Sequence, residues 1–122
     1  MRLFGSLFLL CLTALLPSQA QAKYHSDGHI YDLSCNASGY VLQSRHPLVR
    51  TTGVGVGTRI HEGKETLYLG KSCDATHKLF GGGTWCWANG GFIAEFADHR
   101  FGFGRQELFC ERLSLNDLDC RC

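Results

Sequence analysis

The chain opens with an almost unbroken apolar run and then changes to short segments in which apolar and polar residues alternate. The apolar run covers residues 3–16, follows a basic start at Arg2 and is followed by the small-residue ending Ala20-Gln21-Ala22. This order is typical of a secretory signal peptide that is cleaved after Ala22. Because the run is shorter than the roughly 20 residues of a membrane-spanning helix, we expect no membrane span after cleavage. Residues 1–22 are therefore predicted to be a signal peptide, and residues 23–122 a single exported domain.

Alternation in the rest of the chain predicts β-strands. The segments with this pattern are residues 38–44, 65–69, 84–88, 92–96 and 107–110. Residues 48–60 combine β-branched side chains with alternating glycines, which weakens a helix and suits a twisted strand or a bulged hairpin. Asn89-Gly90-Gly91 predicts a tight hairpin turn, because asparagine and glycine accept positive φ. No long amphipathic helix appears, so we predict a mainly β fold, a small barrel or sandwich.

Four shorter segments receive other predictions. Residues 23–32 are polar and lack periodicity, which indicates an extended arm. Residues 61–64 are predicted to form a turn, and residues 76–79 a single helical turn before a glycine run. In Phe101-Gly102-Phe103-Gly104 the two rings are expected on one face of the chain, with no side chains between them.

The charges of the predicted domain balance. Arg2 leaves with the signal peptide, so 11 of the 12 basic residues remain to face 11 acidic ones. The basic residues form no stripe along the sequence, which argues against nucleic acid or an anionic membrane as the main partner. A partner, if there is one, is expected to be a protein that recognises shape and a few specific charges.

Cysteine usage indicates the compartment. The chain has seven cysteines, and only Cys11 falls within the signal peptide. The other six are Cys35, Cys73, Cys86, Cys110, Cys120 and Cys122. An even set in a short exported chain predicts three disulfides and an oxidising location, either the periplasm or the outside of the cell.

The spacing of the cysteines limits their pairing. Cys120 and Cys122 are one residue apart, so strand-like geometry holds their sulfurs on opposite faces and disfavours a bond between them. We expect the two to tie the C-terminal tail to different points of the body. We also predict a local bridge between Cys73 and Cys86, with the two remaining cysteines bonded to the tail or to each other.

The Trp85-Cys86-Trp87 triplet places two indoles on one face of a strand and a sulfur on the other. The main interpretation is that the indoles pack in the core beside a disulfide. The alternative is an exposed platform on which the rings stack against a sugar or a partner loop.

Two kinds of chemistry are further hypotheses. After cleavage the domain would begin Lys23-Tyr24-His25, and its free amine, two deprotonated amides and the His25 imidazole would suit Cu(II) or Ni(II). A small hydrolase that acts on cell wall or glycan would use His77 or His99 with a carboxylate. The carboxylates available for this are Glu62, Glu65, Asp74, Glu95, Asp98 and Glu107.

Residues 57–60 (Gly-Thr-Arg-Ile) and 71–75 (Lys-Ser-Cys-Asp-Ala) resemble part of the pattern of the periplasmic inhibitors of c-type lysozyme. Val56, Ile60 and Ser72 replace the Ser, Tyr and Gly of that pattern, whereas Lys71 is kept. The resemblance implies a small disulfide-bonded β-barrel that engages the active-site cleft of a partner enzyme, and it covers about a fifth of residues 23–122.

Together these observations rank inhibition above catalysis. The leading hypothesis is an exported binding module that blocks a protein partner, such as a lysozyme or a peptidoglycan amidase. An immunity protein against a wall-directed toxin would have the same features, and the hydrolase and the copper-binding protein are the alternatives. The residues predicted to contact the partner are Arg59, His61, Lys71, Trp85 and Trp87.

Overall fold

The structure is a computed structural model that describes residues 23–111 and 118–122. The predicted signal peptide, residues 1–22, lies outside the described residues. None of the helical segments in the described ranges is long and apolar enough to cross a membrane.

Within the described ranges the chain is built from ten strands joined by turns. They are β1 (Lys23–Ser26), β2 (His29–Asn36), β3 (Gly39–Ser44), β4 (Leu48–Thr52), β5 (Arg59–Gly63), β6 (Thr66–Gly70), β7 (Asp74–His77), β8 (Gly81–Ala88), β9 (Gly91–Glu95) and β10 (Arg100–Gly104). A 3₁₀ turn at Gly55–Gly57 lies between β4 and β5. The predicted mainly β fold is confirmed.

Eight of the strands form one antiparallel sheet that curls into a nearly closed barrel, in the order β1-β2-β3-β6-β7-β8-β9-β10. The gap between its first and last strands is bridged by the segment that follows β10. The Gln106 side-chain oxygen accepts the backbone N–H of His25 (2.6 Å), and its NH₂ group donates to the His25 carbonyl (2.8 Å). The Tyr24 hydroxyl donates to the Glu107 carbonyl (2.7 Å). The Gln106 side chain thus pairs with the backbone of β1, as a neighbouring strand would, along the free edge of β1.

Alternate residues of the strands fill the barrel with aromatic and aliphatic side chains. The most buried are Tyr31, Tyr40, Leu42, Leu67, Leu69, Trp85, Phe92, Phe101 and Phe103. Phe92 of β9 lies directly opposite Phe103 of β10, and their rings stack with centroids 4.5 Å apart. Phe101 and Phe103 are both fully buried, so the prediction that the two rings share one face is confirmed. Each such ring stabilises the fold by about 1.5–3 kcal/mol through its burial.

Three disulfides close the molecule, and they join Cys35 to Cys110, Cys73 to Cys120 and Cys86 to Cys122. The expectation that the tail cysteines reach two different points is confirmed. The tail lies parallel to β8, because the Trp87 N–H donates to the Cys120 carbonyl (2.5 Å) and the Cys122 N–H donates to the Trp87 carbonyl (2.9 Å).

The predicted Cys73–Cys86 bridge is wrong, and the register of β7 with β8 explains why. The Trp85 N–H donates to the Cys73 carbonyl (3.0 Å), which places Cys73 beside Trp85. Cys86 is the next residue along β8, so its side chain points to the opposite face of the strand. The two sulfurs are therefore held on different sides of the sheet.

Four local predictions differ from the structure. Residues 23–32 are not an arm but a hairpin of β1 and β2, with the turn at Asp27-Gly28, where both residues have positive φ. Residues 61–64 are not a turn, because β5 continues to Gly63. Residues 76–79 do not form a helical turn, since His77 is buried as the last residue of β7. Residues 107–110 are not a strand, because β10 lies earlier, at residues 100–104.

Removal of one tail disulfide should measure how far the cross-links stabilise the barrel. The double substitution Cys86→Ala/Cys122→Ala should lower the free energy of unfolding by about 2–4 kcal/mol, because the unfolded chain regains the conformational entropy that the cross-link removes. Guanidinium unfolding with intrinsic Trp fluorescence measures this loss. The exposed substitution Ser34→Ala is the control and should leave the midpoint unchanged. A loss no larger than that of the control would show that packing alone holds the barrel.

Candidate functional site

A two-stranded ribbon leaves the barrel at the end of β3 and the start of β6, and it consists of β4 and β5. Between the β3–β6 pair and the β4–β5 pair, residues 44–47 lie opposite only residues 64–65. The side of the ribbon that joins β3 to β4 is therefore two residues longer, and the ribbon bends. Pro47 stands in this longer stretch, where it has no N–H to donate. Ser44 holds the bend, because its N–H donates to the Glu65 carbonyl (2.8 Å) and its hydroxyl accepts the Glu65 N–H (2.8 Å). We call residues 48–63 the projecting hairpin.

The tip of the projecting hairpin presents apolar side chains to solvent. Val54 and Val56 are 88 % and 111 % exposed, and Val49 and Ile60 on the strands of the hairpin are also exposed. Gly53 makes the tight turn possible, since it has φ +83° and an added Cβ would lie 2.3 Å from the Gly57 carbonyl oxygen. Exposed apolar residues that cluster on one element are typical of binding surfaces.

The base of the projecting hairpin is held by a buried carboxylate. Glu65 is 7 % exposed, and the Arg50 guanidinium of β4 donates to both of its oxygens, each at 2.9 Å. The Tyr31 hydroxyl donates to the same carboxylate (2.5 Å), as does Nε2 of His77 (2.7 Å). The Glu65 carboxylate therefore joins the hairpin to two strands of the barrel, β2 and β7.

Hydrogen bonds fix the tautomer of His77. Its Nδ1 atom accepts the backbone N–H groups of Leu79 (3.0 Å) and Phe80 (3.4 Å). Since Nδ1 is an acceptor, the proton of the neutral ring lies on Nε2 and is donated to Glu65. Both ring nitrogens are occupied, so this His–Glu pair has no free atom with which to move a substrate proton.

The same contacts set the charge state of the cluster. Burial opposes ionisation of Glu65, but the hydrogen bonds from His77, Arg50 and Tyr31 outweigh it and lower the pKa of Glu65 to about 2. Burial, together with the neighbouring carboxylate, raises the pKa of the Tyr31 hydroxyl, which therefore stays protonated. The guanidinium of Arg50 also lies over the ring of Phe101, 5.3 Å from its centroid.

A groove of about 510 Å³ lies between the projecting hairpin and the end of β7. Its apolar wall includes Leu48, Ile60, Tyr68 and Leu79, and its polar wall includes Arg50, His61, Glu62, Lys64, Glu65 and Lys78. Among residues 23–111 and 118–122, neither Lys64 nor Lys78 forms an ion pair. The groove has the size of a ligand site, and its rim carries uncompensated positive charge.

The five residues predicted to contact a partner do not form one surface. Arg59 and His61 lie on the projecting hairpin, whereas Lys71 lies in the turn at the other end of β6. Trp85 is 1 % exposed, and its indole N–H donates to the Gly70 carbonyl (2.8 Å). It is therefore a core residue, and the prediction that it contacts a partner is wrong. Trp87 is half-buried and packs edge-to-face on Trp85, with ring centroids 5.8 Å apart.

The remaining candidates for acid–base chemistry are dispersed. Of the six carboxylates named above, only Glu65 is buried. His99 stacks on the Phe80 ring with centroids 4.5 Å apart, and burial, followed by the charge of Arg50, lowers the pKa of His99. Glu62, which lines the same groove as Glu65, is exposed.

The predicted copper ligand His25 lies in β1. Its backbone N–H is one of the amides that the copper set would deprotonate, and here it is donated to Gln106. Metal binding at this position would therefore require the start of β1 to leave the barrel. Within the described ranges, no group of three or more His, Cys, Asp or Glu side chains could hold a metal ion.

The buried cluster around Glu65 was not predicted, although one signal for it exists in the sequence. Glu65 occupies the same face of the alternating segment 65–69 as Leu67 and Leu69, which are core residues. A charged residue at an inward position of a strand indicates a buried ion pair, because an unpaired charge there costs too much. The identity of its partners depends on strands distant in sequence.

None of the family models, curated proteins and solved structures compared with this chain matches it.

The depressed pKa of Glu65 should make stability depend on pH. Since the folded pKa is about 2 and the ordinary value is 4.5, the stabilisation is complete above about pH 4.5 and is lost as the pH falls towards about 2. Glu65→Gln should lower the free energy of unfolding by about 3–5 kcal/mol at neutral pH, because Arg50 loses its buried counter-charge. Urea unfolding from neutral pH to below pH 3 should show the difference from wild type shrinking through this window.

The exposed Glu62→Gln on the same ribbon is the matched control and should follow the wild-type curve. Asp32, whose pKa is lowered by its hydrogen bond from Arg45, remains in every variant and so cancels in the comparison. A wild-type to Glu65→Gln difference that does not vary with pH would contradict the ionised state assigned to Glu65.

Proposed function

We propose that the protein is an exported inhibitor that inserts its projecting hairpin into the concave site of a partner protein. The observation that carries this proposal is the exposed apolar tip, Val54 and Val56, at the end of a ribbon anchored in the barrel by Glu65. Apolar side chains exposed at such a tip gain free energy when a partner covers them.

Rigidity supports the proposal. Three disulfides close the barrel, and the bidentate Arg50–Glu65 pair fixes the hairpin at its base. A pre-organised loop loses little conformational entropy when it binds, so more of the contact energy appears as affinity. Arg59 lies next to the tip and His61 in the middle of β5, and both would supply specific polar contacts.

The partner class that we propose is a cell-wall-degrading enzyme, either a lysozyme or a peptidoglycan amidase. Such an enzyme acts on a long polymer and needs an elongate cleft. A two-stranded ribbon, with its strands about 4.8 Å apart, is narrow and elongated and could occupy such a cleft. The disulfides and the resemblance to lysozyme inhibitors noted in the sequence agree with this class.

Inhibition assays test the proposal directly. The purified protein should slow the lysis of peptidoglycan by one of a panel of c-type lysozymes and amidases. Val54→Asp/Val56→Asp should weaken this inhibition by about a hundredfold, since charged tips cannot enter a desolvated site. Phe109→Asp, at an exposed apolar residue outside the hairpin, is the matched control and should inhibit like wild type.

Two results would contradict the proposal. One is the absence of inhibition across the panel, and the other is equal inhibition by the tip variant and the wild type. Release of fragments from purified peptidoglycan by the protein alone would instead support the hydrolase alternative. Thermal unfolding of both variants establishes that they are folded.

A further inference from the structure

We propose that the groove beside β5 is a second binding site, which takes an extended acidic peptide segment as an additional strand on the free edge of β5. The inference does not depend on the inhibitor function, because it concerns the flank of the projecting hairpin rather than its tip.

The free edge arises where β7 stops. β6 pairs with β3 on one side and with β7 on the other, and the last β7 pair joins Leu67 to His77. Before β6, the chain runs through residues 64–65 from β5. In the described part of the chain, β5 pairs with β4 alone. The backbone groups on the other edge of β5 therefore face the groove without a strand partner, and an extended peptide can pair with them.

The chain after β7 is held away from this edge. The His77 imidazole accepts the N–H groups of Leu79 and Phe80, which fixes the turn that leads to β8. The stacking of Phe80 on both His77 and His99, with centroids 4.5 Å apart in each case, adds to this constraint. The groove is thus a fixed feature of the fold, with a volume of about 510 Å³.

The walls of the groove suit a strand that carries both apolar and acidic side chains. Ile60, Leu79 and the half-exposed ring of Tyr68 offer apolar contacts, and Lys64 and Lys78 add positive charge. Ile60, Lys64 and Tyr68 are exposed and an even number of residues apart, so the face that an added strand would meet is both apolar and basic.

Charge identifies the chemistry of the segment. Arg50 and Glu65 neutralise each other, which leaves two lysines against Glu62 alone. An acidic strand would find complementary charge on these two lysines. A second copy would carry the same excess of lysine beside its own β5 edge, and this like charge disfavours self-pairing.

Peptide titration tests the proposal on the disulfide-bonded, ¹⁵N-labelled protein. The probe is an acetylated and amidated octapeptide of alternating valine and aspartate, and its counterpart replaces aspartate by lysine. The acidic peptide should shift the amide signals of residues 59–64 and slow their hydrogen exchange, whereas the lysine peptide should not. N-methylation of alternate valines should abolish binding by removing the donors that pair with the β5 edge.

Variants locate the site. Lys64→Glu/Lys78→Glu should weaken binding of the acidic peptide by about tenfold or more. The matched control Lys71→Glu lies in an exposed turn outside the groove and should bind like wild type. Val54→Asp/Val56→Asp should also retain peptide binding, which separates a failure of this inference from a failure of the inhibitor proposal.

Four results would overturn the inference. They are equal binding of the acidic and basic peptides, no binding of the acidic peptide at millimolar concentration, shifts confined to residues outside the groove, and concentration-dependent shifts in β5 without peptide. The last result would assign the edge to a second copy of the chain.

Discussion

The fold depends on one carboxylate that is buried yet ionised. Glu65 would be costly at the mouth of an aromatic barrel without partners, and Tyr31, Arg50 and His77 together offset that cost. Because these three donors come from β2, β4 and β7, their hydrogen bonds to Glu65 form only when the barrel and the projecting hairpin are both in place. The cluster thus makes the orientation of the hairpin a property of the whole fold.

Because the cluster fixes the hairpin, the exposed apolar residues at its tip are held in place for binding. A mobile hairpin with Val54 and Val56 at its end would lose conformational entropy on binding, which would offset the free energy gained from apolar burial. A fixed hairpin presents a preformed contact surface and avoids most of that loss. The bend at residues 44–47 separates the hairpin from the barrel, and the end of β7 at His77 leaves the edge of β5 unpaired. These two features of the strands together create the projecting tip and the groove beside it.

Local signals predicted the parts of the fold that local residues determine. The segment 65–69 and the Asn89-Gly90 turn were predicted because alternation and turn chemistry act over a few residues. Closure of the barrel by Gln106, the partners of Cys73 and Cys86, and the contacts of Glu65 follow from the register of strands far apart in sequence. Arg59 and His61 lie on the projecting hairpin, whereas Trp85 lies in the core, because its burial depends on how β8 faces the barrel.

The most direct test of this account is the backbone order of the projecting hairpin with and without its anchor. NMR relaxation should give residues 48–52 and 59–63 the same order parameters as the barrel strands in the wild type. In Arg50→Met, which keeps the apolar stem but removes the charge, we expect the hairpin order parameters to fall below about 0.6 while the barrel stays near 0.85. A hairpin that stays as rigid as the barrel in Arg50→Met would contradict the central role of the Glu65 cluster.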